Sequence, residues 1–384
     1  MEKVYFDYAA TTPMDDRVLE KMLPFFKDNF GNPSSSHLFG QKAENEVENA
    51  REMIAASINA LPEEILITSG GTESDNFALR AVAFARRKLN GSTKILISPV
   101  EHHAISHTAK DLESNFGFRL EFVPVNRFGI IDLIELEKML SDEVAVVSII
   151  YANNEIGSIN PVSEIGALCR KRGIPFHTDA VQAAAHLKMD VERDRIDLMS
   201  IGAHKFYGPK GIGALYIRKG TPCLPLQTGG KQENNRRAGT ENVPSLVGLA
   251  YALKFAQEEV HERNLKILKL RDFLIENVLK NFSEVEITGD KEIRLSNHAS
   301  FVFKNVDGNL LVTLLDIAGF ACSSGSACKV GNPKPSEVLT NIGYSDQWAL
   351  GSLRVTLGKD CTQQEIEKFV EILPNAIRKA KVSA

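Results

Sequence analysis

Long apolar runs are missing from this chain. The most apolar stretch, residues 144–152, is far short of the roughly 20 residues that cross a bilayer, so no membrane partner is expected. The charged-then-apolar opening of a signal peptide is missing too, since residues 1–7 read M-E-K-V-Y-F-D. Charge of one sign is not in excess: 45 Lys and Arg face 49 Asp and Glu, for a net charge of -4 and a pI near 6.2. With no basic stripe and no interleaved aromatics, nucleic acid is not expected as a partner. Cysteine is scarce, and its five copies (Cys169, Cys223, Cys322, Cys328 and Cys361) are scattered and odd in number. That argues against a disulfide framework and points to a reducing, cytoplasmic setting. Internal repeats and low-complexity segments are absent.

What the chain does contain is an ordinary globular balance, 43% hydrophobic and 24% charged over 384 residues. That length is too great for one small core and predicts two or three domains. Residues 4–8 read as a short strand before the turn A-A-T-T-P. Helical spacing follows at Val18, Leu19, Met22 and Leu23, then a polar loop over 31–40 and a helix over about 41–60. From Ile65 the pattern alternates. Strands are predicted at 65–68, 94–98, 119–123, 144–150, 174–179, 197–201 and 214–218, with helices at 73–89, 103–116, 132–140 and 162–172. Many of these strands are apolar throughout, which indicates burial on both faces. The fold class expected is α/β: a mostly parallel seven-stranded sheet flanked by helices, with right-handed crossovers. Residues 243–281 are mostly helical. Beyond them lie strands at 299–306 and 353–357 and helices at 308–318 and 362–379, the pattern of a smaller α+β domain. The division expected is 13–257 for the large domain, and 1–12 with 258–384 for the small one.

In open α/β sheets, ligands collect outside the carboxyl ends of the strands. Five successive strand ends here carry chemically useful residues. The first is followed by S-G-G-T-E-S-D-N. Gly70 and Gly71 permit close backbone approach, Thr72 offers a hydroxyl, and the helix N-terminus offers free N–H groups. This suits a phosphate; the plainer alternative is a Gly-Gly turn with a Thr cap. The G-K-[ST] of a Walker loop is missing. The second strand end carries E-H-H-A-I-S-H, where His102 is placed to stack on an aromatic cofactor and move protons. His103 and His107, with Glu101 nearby, form a competing metal arrangement. No second ligand cluster accompanies them, and metal is not expected. The third end reads Y-A-N-N-E-I-G: Asn154 bonds a ring oxygen or a substrate carboxylate, or is a turn residue. Asp179 and Gln182 follow the fourth, and a buried strand-end Asp needs a charged partner. His204 and Lys205 follow the fifth, in S-I-G-A-H-K-F-Y-G-P-K-G-I-G.

A lysine and an aspartate, each at the end of its own strand, are what pyridoxal 5'-phosphate (PLP) requires. The lysine forms a Schiff base with the aldehyde. The aspartate keeps a proton on the pyridine nitrogen, which makes the ring an electron sink. Gln182 would reach the ring's phenolic oxygen. Two features lie outside this set. The segment of about 321–334 contains C-S-S-G-S-A-C and then K-V-G-N-P-K-P, the composition of an exposed loop. On it Cys328 reads as a mobile nucleophile, and Cys322, nearer the strand-like G-F-A-C, as structural. Arg354, a charge within the apolar run G-S-L-R-V-T-L-G, needs a carboxylate, either a structural partner or a substrate α-carboxylate.

Jointly, D-Y-A-A-T-T-P, S-G-G-T-E-S-D-N, E-H-H-A, N-N-E-I-G, H-T-D-A-V-Q, A-H-K-F-Y-G-P-K-G, R-A-G-T-E-N and S-S-G-S-A-C resemble the class I cysteine desulfurases. These are NifS/IscS-like PLP enzymes with the aspartate aminotransferase fold, and the resemblance runs from Asp7 to Arg354. It implies that Lys205 is the Schiff-base lysine, that His102 stacks on the ring, that Asp179 pairs with the pyridinium and that Gln182 bonds the phenolic oxygen. Gly71, Thr72 and His204 would hold the phosphate, joined by Thr240 from the neighbouring subunit of a homodimer. Asn154 and Arg354 would bind L-cysteine, and Cys328 would take its sulfur as a persulfide, leaving L-alanine. A sulfur acceptor or iron–sulfur scaffold protein is the implied partner.

Three departures from the family pattern stand out. Gly202 occupies a position where related sequences commonly carry Ser. Lys231, Asn234 and Asn235 interrupt a usually glycine- and arginine-rich segment. The chain ends at Ala384, without the longer tail that some relatives use to dock a scaffold. Two other readings are open. A selenocysteine lyase or aminotransferase on the same fold is opposed by S-S-G-S-A-C, because a nucleophilic cysteine has no role in transamination. A non-catalytic sulfur-relay partner is opposed by the intact set Lys205, Asp179 and Cys328.

Overall fold

The computed structural model describes residues 3–325 and 334–382. The chain opens with β1 (Val4–Tyr5), α1 (Asp16–Met22), α2 (Pro24–Lys27) and α3 (Leu38–Ser57). Strand and helix then alternate: β2 (Ile65–Thr68), α4 (Gly71–Asn90), β3 (Lys94–Ile97), α5 (His103–Phe116), β4 (Arg119–Phe122), α6 (Leu133–Met139), β5 (Val144–Ser148) and α7 (Val162–Lys171). Next come β6 (Phe176–Asp179), α8 (Ala183–His186), β7 (Leu198–Gly202), β8 (Gly213–Ile217), α9 (Val243–Glu258) and α10 (Val260–Asn281). The remainder is β9 (Val285–Ile287), β10 (His298–Phe303), α11 (Gly308–Ile317), β11 (Phe320–Ala321), α12 (Glu337–Asn341), α13 (Asp346–Ala349), β12 (Ser352–Thr356) and α14 (Gln363–Ala380).

The main sheet has seven strands in the order β2-β8-β7-β6-β5-β3-β4, as the alternation predicts. Among these strands β8 alone runs antiparallel to its neighbours, β2 and β7. Strand periodicity sends alternate side chains to opposite faces. Ile95 and Ile97 of β3 belong to the core layer shared with α4 and α5, while Leu96 between them belongs to the opposite layer, which α1, α3, α6, α7 and α9 cover. Both faces are covered, and that is why V-A-V-V-S in β5 is buried at every position.

A second core gathers around α10, α11, α14 and the antiparallel sheet β12-β10-β9. The N-terminus belongs to it: β1 pairs in parallel with β11, and Phe6 packs against Phe320 and Phe369. The chain therefore crosses from this core into the larger one through the A-A-T-T-P turn, which passes the carboxyl ends of the main-sheet strands. Several boundaries differ from expectation, among them β10, which ends at Phe303 rather than at 306. Helix α3 starts at Leu38, inside the predicted 31–40 loop, because the His37 ring accepts from Gly40 N and caps the helix. The break in the 243–281 helical region falls at Glu259, between α9 and α10. The short elements β9, β11, α12 and α13 carried too few residues to show a period.

Candidate active site

A cavity of about 350 Å³ lies at the carboxyl ends of the main-sheet strands. Lys205 enters it from the 3-10 turn that follows β7. Its Nζ donates to the carbonyl oxygens of Ala9 and Ala10 at 2.6 and 2.8 Å, so the A-A-T-T-P turn holds the lysine. Burial, with Arg354 adding to it, lowers the Lys205 ammonium to about 8; Asp179 and Asp7 oppose the shift. Across the cavity, Asp179 ends β6. Its Oδ1 accepts from Val181 N at 2.9 Å. Burial pushes this carboxyl up, and His102 and Lys205 pull it partly back. His102 caps α5 by accepting from Ala104 N at 3.1 Å and lines the same cavity. Burial lowers its imidazole against the upward pull of Asp179.

Gly71 and Thr72 form the first residues of α4 and line the cavity. The 20-residue helix directs its free N–H groups and dipole there. A Cβ on Gly71 would meet Val181 Cγ2 at 2.6 Å, so only glycine lets the helix start this close to the β6 turn. His204 Nδ1 is 3.1 Å from Thr11 Oγ1, and burial lowers the ring to about 4, so it is neutral near pH 7. Gln182 donates from Nε2 to Ala9 O at 2.8 Å while lining the cavity.

Arg354, on β12, reaches the cavity from the second core. Its Nη2 pairs with Asp7 Oδ1 at 2.9 Å, and its Nη1 donates to the carbonyl of Asn154 at 3.0 Å. The structural carboxylate partner exists, therefore, and Arg354 also lines the cavity, while its buried Nε has no hydrogen-bond partner. Asn154 lines the cavity as well. Thr240 is exposed and does not line its own chain's cavity. Cys328 lies outside the described residues. His103 and His107 stack at 4.7 Å, but Glu101 turns away from them, accepting from Ile150 N at 2.7 Å. The metal arrangement therefore does not assemble.

Sequence reasoning missed Asp75, which also lines the cavity. The signal was available: Asp75 stands four residues after Gly71 in S-G-G-T-E-S-D-N, one helical turn on along the same face. It also missed the backbone carbonyls of Ala9 and Ala10, which no side-chain pattern announces.

The residues present fit PLP. A lysine of lowered pKa, a buried carboxyl opposite it, an imidazole beside that carboxyl and a helix N-terminus for a phosphate share one cavity of small-molecule size. Fold and site define a PLP-dependent enzyme. The chain belongs to the Aminotransferase class-V family, which matches residues 4–369. It is 44% identical over 382 residues to the cysteine desulfurase IscS of Clostridium botulinum, covering 99% of this chain and 96% of that one. Among solved structures, a NifS-like protein matches with a TM-score of 0.92 at 38% identity, covering 98% of this chain and 100% of the other. SspA in complex with cysteine matches with a TM-score of 0.80 at 34% identity, covering 93% and 99%.

Proposed function

We propose that the chain is a cysteine desulfurase, converting L-cysteine to L-alanine and passing the sulfur to Cys328 as a persulfide. One observation carries the reading: Lys205 and Asp179 face one cavity, in a chain 44% identical along nearly its whole length to a cysteine desulfurase. When bound, PLP supplies an electron sink for charge left at the substrate α-carbon. The chain's own residues do the rest. Asp179 would hold the ring nitrogen, His102 would pack on the ring, and Gln182 would hold the phenolic oxygen. Gly71, Thr72 and His204 would hold the phosphate. Because His204 is neutral, it serves as a hydrogen-bond donor, and the positive field comes from the α4 N-terminus. Arg354 and Asn154 receive the substrate carboxylate.

Lys205, whose ammonium burial lowers to about 8, takes the α-proton as the neutral amine. The Cys328 thiolate attacks the substrate sulfur. The C–S bond breaks, the carbon keeps the electron pair and gains a proton, and no oxidant is consumed. The small domain, 1–12 with 258–384, carries Cys328 to the large domain, 13–257. Thr240 of the partner subunit completes the phosphate cradle of a homodimer, a reading supported by its exposure outside its own cavity. The sulfur then passes to an acceptor, such as an iron–sulfur scaffold protein, in the cytoplasm. No described helix is long and apolar enough to cross a membrane.

The test is direct. PLP-loaded protein given L-cysteine and a thiol reductant should form alanine and sulfide in equal amounts, and Lys205→Ala should form neither. Turnover of selenocysteine alone, or of a keto acid instead, would replace this activity with one of the two related chemistries.

A further inference from the structure

Behind Asp179 lies a second carboxyl that the mechanism above leaves unused. Asp75, on α4, is 1% exposed, and its Oδ1 has no hydrogen-bond partner. A carboxylate oxygen of Asp75, one of Asp179 and a nitrogen of His102 all lie within 4.8 Å of one another. Beneath them is His177, fully buried, with Nε2 at 3.7 Å from Asp75 Oδ1. That ring is committed elsewhere. Its Nε2 bonds Ser200 Oγ at 2.9 Å and its Nδ1 bonds Ser148 Oγ at 2.8 Å. Strand register explains both contacts, since Ser148 is paired with His177 and Ser200 with Asp179 across β5, β6 and β7. Burial lowers His177 to about 3, so it stays neutral and gives Asp75 no counter-charge. The groups that face Asp75 are thus Asp179 and His177 from β6, Ser200 from β7, Glu101 from the turn after β3 and His102 at the start of α5, whose imidazole is lowered by burial. None of them is a cation near pH 7.

Two carboxylates this close in a buried site do not both ionise. The pair is unequal. Asp179 has Val181 N–H, His102 and Lys205 to favour its charged form, whereas Asp75 has only the Ser200 hydroxyl. Burial first, and Asp179 second, push Asp75 well above the usual carboxylate range. We propose that Asp75 retains a proton and acts as a positioning residue, limiting the pair to one negative charge and placing that charge on Asp179, where it meets the ring nitrogen of PLP. The cofactor part rests on the reading of Asp179 given above; the proton on Asp75 can be tested without it.

A carboxyl whose folded pKa is raised loses stability as pH rises from its unfolded value, near 4, through the folded one. Asp75→Asn abolishes that loss, while Glu101 and Asp179 titrate in both proteins. In cofactor-free protein, the variant should gain on wild type between about pH 5 and about pH 8, by roughly 2 °C or more in unfolding midpoint. A gap that does not change with pH over this window means that Asp75 is ionised in the folded protein as it is in the unfolded one. A gap that widens in favour of wild type runs opposite to what a retained proton gives. Either result overturns the proposal. Should Asp75→Asn not fold, Asp75→Ser loses the same proton and must show the same trend.

The second measurement is PLP affinity, read by absorbance on adding PLP to the cofactor-free protein. Asp75→Asn should stay within about threefold of wild type, and Asp179→Asn should lose about tenfold or more. A loss of about tenfold in the Asp75 variant places charge on Asp75 and overturns the proposal. Undiminished affinity in Asp179→Asn removes the role of Asp179, while the unfolding series still decides where the proton is.

Discussion

Lys205 combines burial with two carbonyl partners, and the balance sets its reactivity. The partners, Ala9 O and Ala10 O, favour the ammonium, yet burial still brings it down to about 8. Neutral amine is the form that attacks an aldehyde, and its fraction rises with pH. The rate at which cofactor-free protein captures PLP should therefore climb to a midpoint near 8 and flatten above it, as followed by absorbance. An amine with an ordinary midpoint near 10.5 would keep accelerating past pH 9 or so. Gly202, where related sequences commonly carry Ser, makes a second residue-scale case. Its φ of -129° suits any residue, and a Cβ there would meet Gly71 N at 3.4 Å and Val181 Cγ1 at 3.5 Å, both ordinary contacts. Gly202→Ser should fold normally and place a hydroxyl beside the α4 N-terminus. One added hydrogen bond, about 1 kcal/mol, predicts PLP binding tighter by about three- to tenfold in equilibrium titration. At this scale the sequence was highly legible. Lys205, Asp179, His102, Gly71, Thr72, Asn154, Gln182, His204 and Arg354 all line one cavity. Asp7 as the partner of Arg354 was not legible, because 347 residues separate them.

Among the elements, strands were legible where burial on both faces makes them continuously apolar, as in β2 and β5. The direction of β8 was not, since an antiparallel strand buried on both faces carries the same residues as a parallel one. The segment holding Lys231, Asn234 and Asn235 shows what its unusual residues do. Glu233, Asn234 and Asn235 adopt φ values of 49°, 57° and 63°, the left-handed region that asparagine tolerates. This tight turn inserts Glu233 beneath β2. There its carboxylate binds Arg51 through two bonds of 2.9 Å and accepts from Ile67 N at 3.0 Å. Both side chains are almost fully buried, at 8% and 3% exposure. Removing one partner strands the other, so Glu233→Ala should cost about 3–5 kcal/mol in denaturant unfolding. The same turn leads to Thr240, and the variant should also bind PLP less tightly.

Two cores meet at the cavity, and the whole molecule matters because no single core holds every residue of the site. Lys205 and Asp179 come from the main sheet, Arg354 from the smaller sheet. The N-terminal turn links them, with Asp7 on Arg354 and the Ala9 and Ala10 carbonyls on Lys205. If Thr240 acts across a dimer, chains must complement one another. A mixed dimer of Lys205→Ala and Thr240→Ala chains would contain one native site and should recover about half of wild-type activity. If Thr240 acts within its own chain, the mixed dimer has no native site and stays as impaired as its parents. Sulfur transfer through Cys328 is tested by the Cys328→Ala variant, loaded with PLP and given L-cysteine. This variant should keep the visible absorption of the bound cofactor and release no sulfide; sulfide and alanine formed at the wild-type rate would mean that Cys328 does not take the sulfur.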